Sequence, residues 1–447
     1  MLEKNKTYKM VIDDLGSEGQ GVGRVDNFTV FVEGAVPGDY VEALIIKVKK
    51  SYAAGKAVKI IKASKDRVEA VCPVFSKCGG CHLQNLSYES QLAYKKNKVY
   101  NDLKRIGGIE ADVFDVIGMD YPYYYRNKAQ FPVQGRGGQP VIGFYRKRSH
   151  DIIEIKECFI HNKISSQITD VVKKFMIKHN IEPYDEKTNK GTVRHILVRT
   201  GLNEIMVCLV INDKNLNHKN ELVNELIKID GMKSILININ EKQTNVIMGR
   251  QTKLLWGKEY IIDMIGNLKF KISALSFFQV NTAQTNILYQ TVLEFADLKG
   301  TETVVDAYCG VGSISLFLAP SAKLVYGVDI IEEAIEDAKK NAKLNGAQNV
   351  EFILGDTKKV LQENILGTGI SPDIIVVDPP RKGCEPEVIE AILEISPNKL
   401  IYVSCDPSTL ARDLSLLSEK YNVKKVQPVD SFCQTYHVET AVLMQRV

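Results

Sequence analysis

At 447 residues the chain is long enough for two or three domains, and 45% hydrophobic with 25% charged residues is an ordinary globular composition, not a fibrous or disordered one. No apolar run approaches the ~20 residues of a membrane span, and Met1-Leu2-Glu3-Lys4 lacks a signal-peptide core, so a cytoplasmic protein without a membrane partner is expected. The net charge of +4 is too small to argue for nucleic acid by itself, and nine cysteines, an odd count, fit reduced thiols, metal ligands and a nucleophile better than a disulfide scaffold.

Residues 1–64 read as a small β-barrel. Val11-Ile12, Phe28 to Val32, Tyr40 to Ile46 and Ala57 to Ile61 are β-rich runs, separated by Gly16, Gly19, Gly21, Gly23, Pro37-Gly38 and Gly55. From Leu44 to Arg67 there are eight Lys or Arg against one acid, Asp66. Such a barrel suits a nucleic-acid backbone; a solvated lysine face is the plainer alternative.

Cys72, Cys78 and Cys81 follow in a C-x5-C-x2-C spacing, and Cys158 is a fourth candidate. Glycines at 79 and 80 let the backbone wrap closely around a ligand, and four thiolates suit an iron–sulfur cluster or a structural zinc. Between these cysteines a predicted helix carries Lys95, Lys96, Lys98, Lys104 and Arg105, and is followed by Tyr123-Tyr124-Tyr125-Arg126-Asn127-Lys128 and Phe144-Tyr145-Arg146-Lys147-Arg148. Aromatic planes interleaved with cations can stack unpaired bases while holding phosphates. Residues 160–265 alternate helical and strand patterns and read as scaffold.

From about residue 266 strands and helices alternate as in a doubly wound sheet. The strand Val304-Val305-Asp306 leads through Gly310-Val311-Gly312 into a helix, with Ser315 where a dinucleotide fingerprint has its third glycine. Asp329 ends the next strand and is placed to accept ribose hydroxyl protons; Asp356 ends another and is placed to reach an adenine amine. Ile374 to Val377 stops at Asp378-Pro379-Pro380-Arg381, and Ile401 to Ser404 stops at Cys405-Asp406-Pro407. A thiol at a strand end, beside other polar strand ends, is where such a fold displays a nucleophile.

These residues resemble the RNA uracil-5-methyltransferases that use S-adenosylmethionine, and within them the 23S ribosomal RNA branch. The resemblance covers nearly the whole chain and rests on Phe277-Phe278-Gln279-Val280-Asn281, Asp306 to Gly312, Asp378 to Gly383, Ser404-Cys405-Asp406-Pro407 and His437-Val438-Glu439. It implies an α/β multidomain fold: an OB-like TRAM β-barrel over 1–64, a central α+β iron–sulfur and RNA-binding domain over 65–265, and a Rossmann-like methyltransferase domain over 266–447. It also implies a [4Fe-4S] cluster on Cys72, Cys78, Cys81 and Cys158, with Gln279, Tyr308, Asp329 and Asp378 around the cofactor and uracil. Cys405 is then the nucleophile and Glu439 the base, preferred to His437, which is expected to be partly protonated near neutrality. The tRNA branch typically lacks the barrel and cluster, so the implied substrate is 23S rRNA, acted on by a monomer. A tRNA uracil methyltransferase and a non-catalytic RNA-binding iron–sulfur protein are the alternatives. Cytosine is disfavoured, because cytosine-5 enzymes resemble a pattern with cysteine where Arg381 stands.

Overall fold

The computed structural model describes residues 2–136 and 139–447. The first five strands, Thr7–Leu15, Gly21–Val25, Phe28–Glu33, Tyr40–Val48 and Tyr52–Lys62, close into a barrel. Its interior is made by alternate residues such as Val30, Val32, Val41, Ala43 and Ile45, all fully buried. Asp26 and Asn27, both with positive φ, form the two-residue turn that returns the second strand into the third. Three glycines expected between strands prove to lie within them. A Cβ on Gly23 would come within 2.6 Å of the Val11 carbonyl, and one on Gly55 within 2.8 Å of the Leu44 carbonyl. Gly21 is similarly crowded by Ile12 and Ala35, so here glycine permits close strand approach and does not punctuate.

A seven-stranded central sheet runs Gln251–Gly257, Met232–Ile239, Ile205–Ile211, Val193–Thr200, Lys128–Arg136, Gln139–Tyr145, Ile152–Glu154. Helices Ile164–Lys178 and Lys219–Leu226 contribute Ile168, Val172, Leu222 and Leu226 to the core on one face. On the other, Leu197, Met206, Cys208 and Leu236 share a core with the hairpin Tyr260–Ile265/Leu268–Ser273 and the helix Thr282–Ala296. This double coverage explains why Ile205–Ile211 is apolar at every position and does not alternate.

The carboxy-terminal sheet has the order Val350–Leu354, Leu324–Asp329, Thr303–Asp306, Ile374–Val377, Lys399–Ser404, Glu439–Arg446, Tyr421–Val429. Its first five strands are parallel, and Glu439–Arg446 enters antiparallel between two strands that precede it in the chain. Strand order reverses at Thr303–Asp306, which opens a crevice at the strands' carboxyl ends. The helix Tyr88–Arg105, capped by Ser87, packs on the helix Pro407–Leu417 of this half. Its Val99 and Leu103 enter one core with Leu410, Ala411 and Leu414.

Candidate functional site

Cys405 leaves the sheet at the residue after Ser404, where the chain turns sharply. The Ser404 hydroxyl accepts from the Asp406 amide at 3.1 Å, and the Asp406 carboxylate accepts from the Ser408 amide at 2.9 Å, capping the helix Pro407–Leu417. Ser404 pairs with Thr440 across the antiparallel ladder, so Cys405 and Glu439 are the next residues at the same end of adjacent strands. Tyr402 pairs with Val377, which brings Asp378 to the same rim from the opposite side. Among the described residues none of these three side chains has a hydrogen-bond partner.

Electrostatics couple the titration of the three. Burial, then the negative charges of Glu439 and Asp378, push the Cys405 thiol up to about 12, against the pull of Arg381. Burial, then Asp378, pushes Glu439 up to about 8; burial, then Asp306, pushes Asp378 up to about 7. His437, expected to be partly charged near neutrality, is instead held at about 3 by burial and by neighbouring Arg381 and Lys98. It is neutral but too weakly basic to compete for a proton.

On the crevice side, Gly310 and Gly312 have positive φ, and a Cβ on Gly312 would strike Phe352 at 2.8 Å. Asp329 accepts from the Gly310 amide and the Ile331 amide, each at 2.9 Å, so its carboxylate shapes the glycine loop. Asp356 accepts from the Lys359 amide at 3.3 Å and caps the short helix Thr357–Lys359. Gln279 is half-buried on the loop before the helix Thr282–Ala296, close to Tyr289, whose hydroxyl lies 2.9 Å from that of Ser313. Tyr308 is half-buried beside Cys384. Sequence reasoning assigned no role to Asp306. It is fully buried, one oxygen takes the Ser315 hydroxyl at 2.6 Å, and the other has no hydrogen-bond partner among the described residues. Ser315, the departure from the third glycine, is thus the hydroxyl that holds Asp306.

Cys72, Cys78, Cys81 and Cys158 line one cavity of about 370 Å³, together with Arg126, Lys128 and His161. Burial raises all four thiols, Cys81 to about 12 and Cys158 to about 11. His161 Nδ1 lies 3.1 Å from the Cys158 sulfur, and Arg126 Nε is buried without a hydrogen-bond partner among the described residues. The basic and aromatic stretches divide in two. Tyr121, Tyr123 and Tyr124 form a partly exposed cluster with the Lys163 ammonium 4.6 Å from the Tyr124 ring. Tyr125 and Lys95 point inward. Lys95, expected on a basic face, is fully buried and paired with Asp430 at 2.5 Å, a pairing across 335 positions that no local pattern announces. A second cleft, of about 630 Å³, runs beside the barrel and is lined by Lys56, Lys59, Lys147, Arg148, Phe75 and Tyr436.

Residues 87–447 match the family described as tRNA (uracil-5-)-methyltransferase. The chain belongs to the RNA uracil-5-methyltransferase family. Residues 2–58 match the TRAM domain, in register with the barrel. Among family relatives, an RNA methyltransferase of Clostridium tetani is 52% identical over 447 residues, 99% of this chain and 97% of that one. Another, of Halalkalibacterium halodurans, is 49% identical over 99% of this chain and 98% of its own. A solved structure of the Pyrococcus abyssi tRNA (uracil-54, C5)-methyltransferase, in complex with S-adenosyl-L-homocysteine, is 28% identical with a TM-score of 0.78. It covers 98% of this chain and 100% of its own. A tRNA enzyme thus spans the full layout, barrel included, and layout alone does not separate ribosomal from transfer RNA substrates.

Proposed function

We propose that this RNA methyltransferase uses S-adenosyl-L-methionine to methylate C5 of a uridine in 23S rRNA, with Cys405 as nucleophile and Glu439 as base. The observation that carries this is the meeting of Cys405, Glu439 and Asp378 at one sheet rim, each without a hydrogen-bond partner among the described residues. C5 of uracil is too weak a nucleophile unaided. Cys405, its thiol proton passed to solvent, adds to C6 as thiolate, and the C5–C6 π pair moves onto C5 and its carbonyl as an enolate. C5 then bonds the methyl carbon while the carbon–sulfur pair departs with the sulfonium sulfur. Glu439 takes the C5 proton, and the freed pair restores the double bond and expels Cys405. Asp378, titrating near 7, offers an acceptor to the uracil N3–H, which cytosine lacks. The target nucleotide must leave its stack to reach this rim.

S-adenosylmethionine supplies the electrophilic methyl. Gly310 and the loop shaped by Asp329 leave room for it, with Gln279, Tyr308 and Asp356 around the crevice. For the cysteine cavity we propose a [4Fe-4S] cluster on Cys72, Cys78, Cys81 and Cys158. Four cysteines lining one cavity of about 370 Å³ suit such a cluster, with a structural zinc as the alternative. The unpartnered Arg126 Nε beside Cys81 suits the cluster's negative charge. Iron and sulfide analysis of protein purified without oxygen tests it; zinc in their place selects the alternative.

A tRNA substrate is the second reading, favoured by the likeness to the Pyrococcus abyssi enzyme. Mapping 5-methyluridine by mass spectrometry in 23S rRNA and tRNA from cells lacking the protein, before and after treatment with enzyme and S-adenosylmethionine, decides between them. Methyl restored in neither RNA refutes the proposed activity.

A further inference from the structure

The segment from Asp430 to Val438 leads directly into Glu439, and residues far upstream hold it. Lys95 and Tyr88 bind the Asp430 carboxylate, at 2.5 and 2.9 Å, and the Tyr125 hydroxyl donates to the Cys433 carbonyl at 2.9 Å. Gln434 is its most constrained residue, 2% exposed with a φ of 67°. Its carbonyl accepts from both the His82 and the Leu83 amides, at 2.9 and 3.1 Å, the two residues immediately after Cys81. Its side-chain oxygen accepts from Gln91 Nε2 at 3.1 Å, the same nitrogen that donates to the Leu83 carbonyl. Two residues on, the Tyr436 ring sits 4.6 Å from that of His82. A non-glycine residue in the left-handed region persists only where its surroundings over-determine it, and such residues gather at working sites.

We propose that Gln434 is a positioning residue that transmits the order of the cysteine loop to Glu439, so that a filled thiol site aims the base of the methylation reaction. The proposal rests on the reading of Glu439 as that base. Cys405 and Asp378 directly follow strands anchored inside the sheet, whereas the chain approaching Glu439 passes through this strap. Loosening the strap therefore spares thiolate addition and methyl transfer and slows removal of the C5 proton. The methylated, Cys405-linked RNA accumulates as a result.

Hydrogen exchange followed by mass spectrometry, on full-length protein before and after iron removal by a chelator, reads the coupling without activity. Exchange in 430–438 should rise by roughly tenfold or more while strand Lys399–Ser404 is unchanged. An unmoved strap, or an equal rise in both segments, overturns the proposal. Two variants separate backbone from side chain. Gln434→Val, β-branched where φ is positive, should lower kcat by roughly tenfold with an unchanged RNA KM and yield adduct on a denaturing gel. Gln434→Gly, which adopts that φ freely, should restore most turnover. A Val variant that raises KM alone, or a Gly variant equally damaged, sinks it. If Glu439→Gln yields no adduct, the base assignment fails instead, and the exchange result stands apart.

Discussion

Glu439 begins a strand yet is 5% exposed, and its carboxyl faces a second acid, Asp378, so that burial and that charge outweigh the pull of Arg381. Its proton affinity in the fold exceeds that in the unfolded chain, so stability it contributes is fully present below about pH 4.5 and is lost as pH rises through about 8. Glu439→Gln should therefore raise the melting temperature most at pH 8 and above, by a margin of up to ~5 kcal/mol, and not at pH 4.5. A thermal scan across that window checks the sign; equal effects at both ends refute it. Cys405→Ala should abolish methyl transfer while titration calorimetry finds S-adenosylhomocysteine bound as before. At this scale the rim was legible where it follows local rules. Cys405 and Asp378 stand out as polar stops to apolar strands, whereas Glu439 was legible only through the family's His-Val-Glu motif, because a strand's first residue carries no pattern of its own. Asp306 drew no role from the sequence, because its burial and the oxygen left without a partner among the described residues are set by packing.

The helix Tyr88–Arg105 joins regions that its sequence position assigned to different units. Its amphipathic pattern predicts a buried face but not which surface it meets. Its polar pair, Lys95 with Asp430, is buried on both sides. Removing one partner strands a charge, so Lys95→Met or Asp430→Asn alone should cost ~3–5 kcal/mol in urea unfolding. The double replacement should recover much of that loss; additive losses would show that each group matters apart from the pair. The barrel makes a related point about glycine. Gly21, Gly23 and Gly55 punctuate in a linear reading, but a Cβ there would collide with neighbouring strands, so they belong inside the ladder.

Across the whole molecule, exposed Lys47, Lys49, Lys50, Lys56, Lys59 and Lys62 cover one barrel strand pair, next to the cleft lined by Lys147 and Arg148. If phosphates lie there, changing three of these lysines to Gln should weaken RNA binding and flatten its salt dependence, by up to ~0.7–0.9 of slope for each phosphate no longer neutralised. Unchanged slope by filter binding would assign the lysines to solvent. The fold class was readable because periodicity changes from two to strand–helix alternation near residue 266. The sharing of cores between the central sheet and the hairpin after it was not, since an apolar run looks alike whichever layer covers it.

The strand starting at Glu439 fills a slot between two strands made earlier. During synthesis the two strands that flank this slot are made first, and the sheet keeps a gap between them until residues 439–446 follow. On the proposed reading of Glu439 as base, a chain cut before residue 439 would carry the Cys405 thiol with nothing to take the C5 proton away. On that reading, closing the gap brings the fold's last strand and the reaction's base into place together.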